Sequence, residues 1–233
     1  MKIRTATIFL LVLASFLVSA AAYNYLPSEM ITHWGASGEP NGYMPKEVAL
    51  LFVPVLGAII TTVLFFVPRL DPLKKNIEKF KAQYELFIVS FAAFFLYIHI
   101  ITIVINMGWS IDLMQAMSIG FAALFYSLGA LVGAAKRNYF IGIRTPWTLS
   151  NDKVWDKTHK LGGKLFKVCA IISLFGAAFS EVAFLITIGA IIITAIFLVC
   201  YSYFEYRKLG EKEKRLFSNN PPLRKKKSVK NKK

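Results

Sequence analysis

The chain has 233 residues, 56% of them hydrophobic and only 18% charged, with a net charge of +15. Soluble domains carry about 25% charged residues, and here 12 of the 28 lysines and arginines crowd into the last 27 positions, leaving the remainder greasier still. A water-soluble globular enzyme, a disordered chain and a disulfide-built secreted domain are all excluded, since 15% of the residues are aromatic and the only cysteines, Cys169 and Cys200, sit in apolar runs.

A hydrocarbon core of about 30 Å takes about 20 helical residues to cross. Six apolar runs approach or exceed that length: 6–25, 47–67, 86–106, 113–135, 165–180 and 182–203. The run 165–180 is the weakest, with Lys167 near its start, although a lysine there can snorkel to the headgroups. From the N-terminus to the tail, basic residues in successive connections number 2, 1, 5, 0, 7, 0 and 12. That alternation follows the positive-inside rule and predicts cytoplasmic termini. The expected fold is an all-α, polytopic transmembrane helix bundle of about six spans. A competing reading takes residues 8–18 and the following alanines as a cleavable signal peptide, which leaves five spans.

The connections divide the chain further. Residues 1–68 hold the first two spans around an extracytoplasmic loop, 26–46. In that loop Gly35, Gly38, Pro40 and Gly42 mark tight turns, so a compact hairpin or lid is expected. His33 lies four residues after Glu29, too few ligands for a metal site. Residues 69–85 place Leu73, Ile77, Phe80 and Tyr84 at spacings of four, three and four, which predicts a cytoplasmic amphipathic helix on the headgroup surface. Residues 86–206 form a four-helix membrane region with a cytoplasmic loop, 136–164. Within the third span His99, Thr102 and Asn106 share one face, which suits interhelical hydrogen bonds or a polar path for a small transporter. Gly129 and Gly133 give the fourth span a small-residue face for close packing. Residues 207–233 are expected to be a disordered basic tail whose partner is the anionic inner leaflet. The charge is mainly a topology signal, and no direct nucleic-acid binding is expected.

The loop 136–164 holds the most unusual residues. Pro146 disfavours helix at Thr145 and predicts an extended or turned segment. Ser150 or Asn151 then offers a helix N-cap, and on that helix Trp155 and His159 face the same way. Gly162 and Gly163 allow a kink before the fifth span, and Trp147 and Trp155 suit anchoring at the bilayer interface. Arg144 is the first candidate for function, its guanidinium fork suiting a lipid phosphate, a peptide carboxylate or an acidic partner. No catalytic constellation is present, and no cofactor or metal is expected.

The motif formed by Asn138, Gly142, Arg144, Thr145, Pro146, Trp147, Thr148, Asn151, Trp155 and His159 resembles the signature of the SdpI family of bacterial membrane proteins. The first loop, with Pro27, His33, Trp34, Gly38, Pro40, Gly42, Tyr43 and Lys46, resembles the short extracytoplasmic domain that often precedes it, and Asp71-Pro72 also fits. The resemblance implies a non-enzymatic protein that confers immunity to, or senses, a secreted membrane-active peptide. It implies a peptide toxin as partner outside and a soluble regulator inside. A small transporter or permease built on the His99 face is the alternative.

Overall fold

The apolar runs fold as helices because helical backbone satisfies its own hydrogen bonds in a medium without water. The computed structural model describes residues 2–35, 37–179 and 182–219, with the side chains of residues 2, 3 and 212–219 left aside. Its helices are α1 (Lys2–Ala22), α2 (Lys46–Leu70), α3 (Lys74–Glu78), α4 (Lys81–Asn106), α5 (Leu113–Ala134), α6 (Pro146–Ser150), α7 (Asp152–Gly176) and α8 (Ala183–Asn219). Two strands, β1 (Glu29–Trp34) and β2 (Pro40–Pro45), pair antiparallel between α1 and α2.

Five of these helices are long and apolar enough to cross a membrane: Arg4–Tyr25, Lys46–Leu70, Lys81–Asn106, Leu113–Ala134 and Ala183–Glu211. The sixth expected crossing, 165–180, corresponds to the second half of α7, which ends at Gly176. α7 does not qualify by composition, because its first half carries Asp152, Lys153, Asp156, Lys157, Lys160 and Lys164. It nevertheless runs antiparallel beside α5 and α8. Gly163 lies against Gly129 and Gly133, Cys169 approaches the Ala190 carbonyl, and Gly176 meets Ile186. The molecule thus consists of two three-helix groups, α1–α2–α4 and α5–α7–α8, joined where α4 packs on α5.

The seams α2–α4, α4–α5 and α5–α7 are built by small residues facing large or close ones. Gly57 on α2 faces Phe95, and Gly120 on α5 faces Phe94 and Tyr97. Phe94, Phe121 and Phe125 continue the α4–α5 seam as a run of adjacent rings, and Tyr97 Oη donates to the Ala116 carbonyl at 2.9 Å. The pairing of α5 with α7 is the most extensive in the molecule. It depends on Gly129, Gly133 and Gly163, which let the two backbones touch. The Gly162-Gly163 pair lies inside one continuous helix, α7, with Gly163 serving close approach.

Two other expectations change. The segment 69–85 does not form one surface helix, since α2 runs on to Leu70, α3 is a single turn, and α4 begins at Lys81. Its apolar stripe turns into the protein: Ile77, Phe80 and Tyr84 are buried against Leu131, Ala135, Ile141 and Trp155. The tail expected to be disordered from 207 continues α8 as helix to Asn219; positions 220–233 lie outside the described residues. At 37 residues α8 is about 55 Å long, so it projects well past a hydrocarbon core.

The hairpin sits at one end of the bundle and is fastened to it. Met30, only 1% exposed, packs among Ala22, Leu26, Ala49, Leu50 and Ile103. Asn106, the last residue of α4, accepts from the Ile31 amide at 2.7 Å and donates to the Ile31 carbonyl at 3.0 Å. Gly38 supplies the positive φ (85°) of the turn. The motif loop occupies the opposite end, beside the N-terminus of α1 and the start of α4.

Candidate functional site

The loop between α5 and α7 is built around three buried side chains, Asn138, Trp155 and His159, each at most 1% exposed. Asn138 uses its whole amide: Nδ2 donates to the Lys136 and Ile141 carbonyls, both at 2.8 Å, and Oδ1 accepts from the Phe140 amide at 3.0 Å and the Ile141 amide at 2.6 Å. The Trp155 indole N–H donates to the Ala135 carbonyl at 2.8 Å, closing an end that helix α5 would otherwise leave unpaired. Its ring stacks on the His159 imidazole, with centroids 3.8 Å apart and planes 13° apart. Trp155 is thus a core residue, contrary to the interfacial role expected for it. Trp147 is half-buried against Tyr203 of α8.

The geometry assigns the tautomer of His159. The Ile143 amide can only donate, so Nε2, 2.9 Å away, accepts, and the proton sits on Nδ1, which faces the Trp155 carbonyl at 2.9 Å. Gly142 leaves room for this ring. It adopts φ +118°, and a Cβ there would collide with His159 Nε2. Burial lowers the His159 pKa to about 4, outweighing the Trp155 carbonyl and Asp156, which pull the other way. Below the ordinary histidine value of 6.5, an unfolded chain binds a proton that the folded chain refuses. Stability is therefore expected to fall as pH drops from about 6.5 toward about 4, the folded pKa. Thermal unfolding in detergent, compared at neutral and mildly acid pH, checks this. His159→Gln should flatten the slope, and an unchanged slope in that variant would exclude His159 as its source.

Thr145 and Thr148 form a reciprocal cap for α6. Thr148 N donates to Thr145 Oγ1 at 3.2 Å, Thr145 N donates to Thr148 Oγ1 at 2.9 Å, and Pro146 occupies the first helical position. Thr145 is extended (φ −109°, ψ 161°), as the following proline requires. The cap is buried against α8, with Thr145 Oγ1 3.0 Å from Ser202 Oγ. Asn151 caps α7 by accepting from the amides of Lys153 and Val154 at 2.9 and 3.2 Å. Arg137 fastens the two helices, pairing with Asp152 at 2.7 Å and donating to the Leu149 carbonyl at 2.9 Å.

Arg144 stands apart from this framework. It is exposed, and its Nη1 donates to the Tyr139 carbonyl at 2.7 Å. Among the described residues no carboxylate lies within ion-pair distance of it. The loop holds the guanidinium in place by its own backbone and presents it to the outside.

The other expected positions fall elsewhere. His99 is buried on α4, 2.7 Å from Ser19 Oγ on α1, and Ser19 in turn donates to the Leu50 carbonyl at 2.7 Å. Asn106 serves the hairpin, and Thr102 contributes its carbonyl to Asn106. In the hairpin His33 pairs with Asn41 at 2.5 Å and lies close against Gly42, while Pro27 and Tyr43 are exposed. Trp34 and Gly38 line a cleft of about 360 Å³ with Glu39, Trp109 and Asp112.

Three side chains outside the motif complete the loop, of which the sequence pattern pointed only to Asp71. Asp71, 2% exposed, accepts from the Leu73 amide at 2.7 Å and from the Tyr139 amide at 2.8 Å, tying the α2–α3 turn to the motif loop. Asn76 on α3 donates to the Arg137 carbonyl at 2.8 Å. Glu205 on α8 is buried and bridges Lys157 at 2.6 Å and Lys208 at 3.3 Å. A lone carboxylate near the end of an apolar run is the linear signal for Glu205. Nothing in the linear spacing signals Asn76.

Five long apolar helices, with a hydrogen-bonded loop closing one end and a hairpin the other, define a multi-pass membrane protein of all-α class. Residues 134–202, from the end of α5 into α8, match the SdpI/YfhL protein family, a stretch that takes in the motif loop, α6, α7 and the first half of α8. Residues 10–58, which include the hairpin, match a domain of unknown function (DUF1648). The chain is similar to the protein named Immunity protein SdpI of Bacillus subtilis (strain 168), 26% identical over 202 residues that cover 86% of this chain and 95% of the relative. No solved structure matches it significantly.

Proposed function

We propose that the chain is a non-enzymatic immunity protein, meeting a membrane-active peptide at the hairpin end and reporting it to a soluble partner at the motif loop. The observation that carries this reading is the similarity, over 86% of this chain, to a relative named as an immunity protein, beside family matches that fall on the hairpin and on the loop. The alternation of basic residues between connections supports a hairpin outside and a loop inside. The hairpin cleft pairs two tryptophans with Glu39 and Asp112, a surface suited to an amphipathic peptide bearing basic groups. Helix α4 joins the two ends as one rod, bonded to β1 through Asn106 and packed into the loop's core through Tyr84 and Ile88. Arg144, held by the Tyr139 carbonyl and lacking an acidic partner among the described residues, is the group that would contact an acidic regulator.

Survival of a peptide-sensitive strain expressing the chain tests this. The intact chain is expected to protect, and Arg144→Ala, at equal membrane level, to lower protection about tenfold, the worth of one charge-assisted contact. Arg144→Lys should recover it only in part, because the fork is lost. His99→Ala should leave protection unchanged under this reading and abolish it if a polar transport path on α4 were responsible. No protection by a well-inserted chain would overturn the proposal.

A further inference from the structure

A second cleft, of about 390 Å³, opens at the motif end between the first turns of α1 and α4, the last turn of α2, and α3. Its lining divides by depth. Phe65, on the candidate span Lys46–Leu70, is the exposed part of its apolar lining, and the buried Ile77, Tyr84 and Ile88 form its floor. Arg69, Lys74 and Lys81 stand at the span ends, where headgroups begin. Arg69 lies over the rings of Phe65 and Phe66, 5.3 and 4.8 Å from their centroids, which holds the guanidinium at the mouth. Two acids also line the cleft. Glu85 is engaged by Arg4 at 3.5 Å, and Glu78 is exposed on α3. Among the described residues, neither Arg69 nor Lys74 has a carboxylate within ion-pair distance.

We propose that this cleft holds one anionic phospholipid, its phosphate between Arg69 and Lys74 and an acyl chain leaving along the exposed face of Phe65, over the floor formed by Tyr84 and Ile88. A soluble anion would use only the basic mouth, and a zwitterionic lipid would bring its own cation against Arg69 and Lys74. An anionic lipid satisfies both halves of the cleft.

Native mass spectrometry of the full-length chain in detergent tests this with dioleoylphosphatidylglycerol, dioleoylphosphatidylcholine and inorganic phosphate as probes. The glycerol lipid should be retained in preference to the choline lipid, and R69Q/K74Q should weaken its retention about thirtyfold, as two headgroup contacts imply. Thr5→Trp, at an exposed position on the cleft wall, should also reduce retention without removing a charge, which covers the case in which the double variant fails to fold. K225Q/K226Q/K227Q, in the basic tail, should leave retention unchanged. Equal retention of the two lipids, loss in the tail variant alone, or phosphate binding as tightly as the glycerol lipid would each overturn the proposal.

Discussion

Gly163→Ala is expected to force α5 and α7 apart and to lower stability by about 3 kcal/mol, the upper end of the range for overpacking. A Cβ at 163 would stand 2.6 Å from Gly133 Cα, 2.8 Å from Gly133 N and 2.8 Å from the Gly129 carbonyl oxygen. All three atoms are backbone, so no rotamer change relieves the clash. The helices must separate, which loosens every contact along their seam. A Cβ at Gly189 on α8 would meet nothing within 4 Å, so Gly189→Ala is the matched control and should be neutral or slightly stabilising through helix propensity. Thermal unfolding in detergent compares the two directly. A shift of about 10 °C is expected for Gly163→Ala, and equal melting temperatures would show that the α5–α7 backbones do not touch.

Trp155→Ala should cost about 4 kcal/mol, because it empties a fully buried site at the junction of four elements. The indole packs with Phe80 and Tyr84, covers His159 and closes the end of α5 through the Ala135 carbonyl. Trp155→Phe separates packing from hydrogen bonding. The ring is largely kept and the N–H is lost, leaving an unpaired buried carbonyl at about 1 to 2 kcal/mol. The expected ranking is wild type above Phe above Ala, with the loop 136–151 becoming accessible to protease in the alanine variant first. Equal effects of the two substitutions would mean that the hydrogen bond, rather than the buried ring, holds the loop.

The helices are legible in the sequence because their determinant is local. A run of about 20 apolar residues has few alternatives to helix in a bilayer, and Pro146, Asn151 and Gly142 act on their own backbone or their nearest neighbours. The stripe Leu73, Ile77, Phe80 and Tyr84 is one-sided in sequence and in structure, but its spacing does not say whether lipid or protein covers that side. The structure puts Trp155, Leu131 and Ile141 there. Gly162-Gly163 is ambiguous for the same reason. A glycine pair permits a bend and permits contact, and only the presence of Gly129 and Gly133 opposite makes it contact.

Within the motif, the cap residues Thr145, Thr148 and Asn151 and the Trp155–His159 stack follow from positions three or four apart, which periodicity can read. The links that turn the motif into a fixed loop span long separations: Asp71 to Tyr139, Asn76 to Arg137, Thr145 to Ser202 and Lys157 to Glu205. From the sequence alone came a membrane-embedded helical chain, five of its six expected crossing segments, the extended backbone before Pro146 and the cap at Asn151, since hydropathy, dihedral restriction and capping act within a few residues. Tertiary structure alone decided which polar groups are buried in that framework and that Arg144 is left facing outward, because hydrogen-bond partners between helices are set by packing, to which sequence distance is no guide.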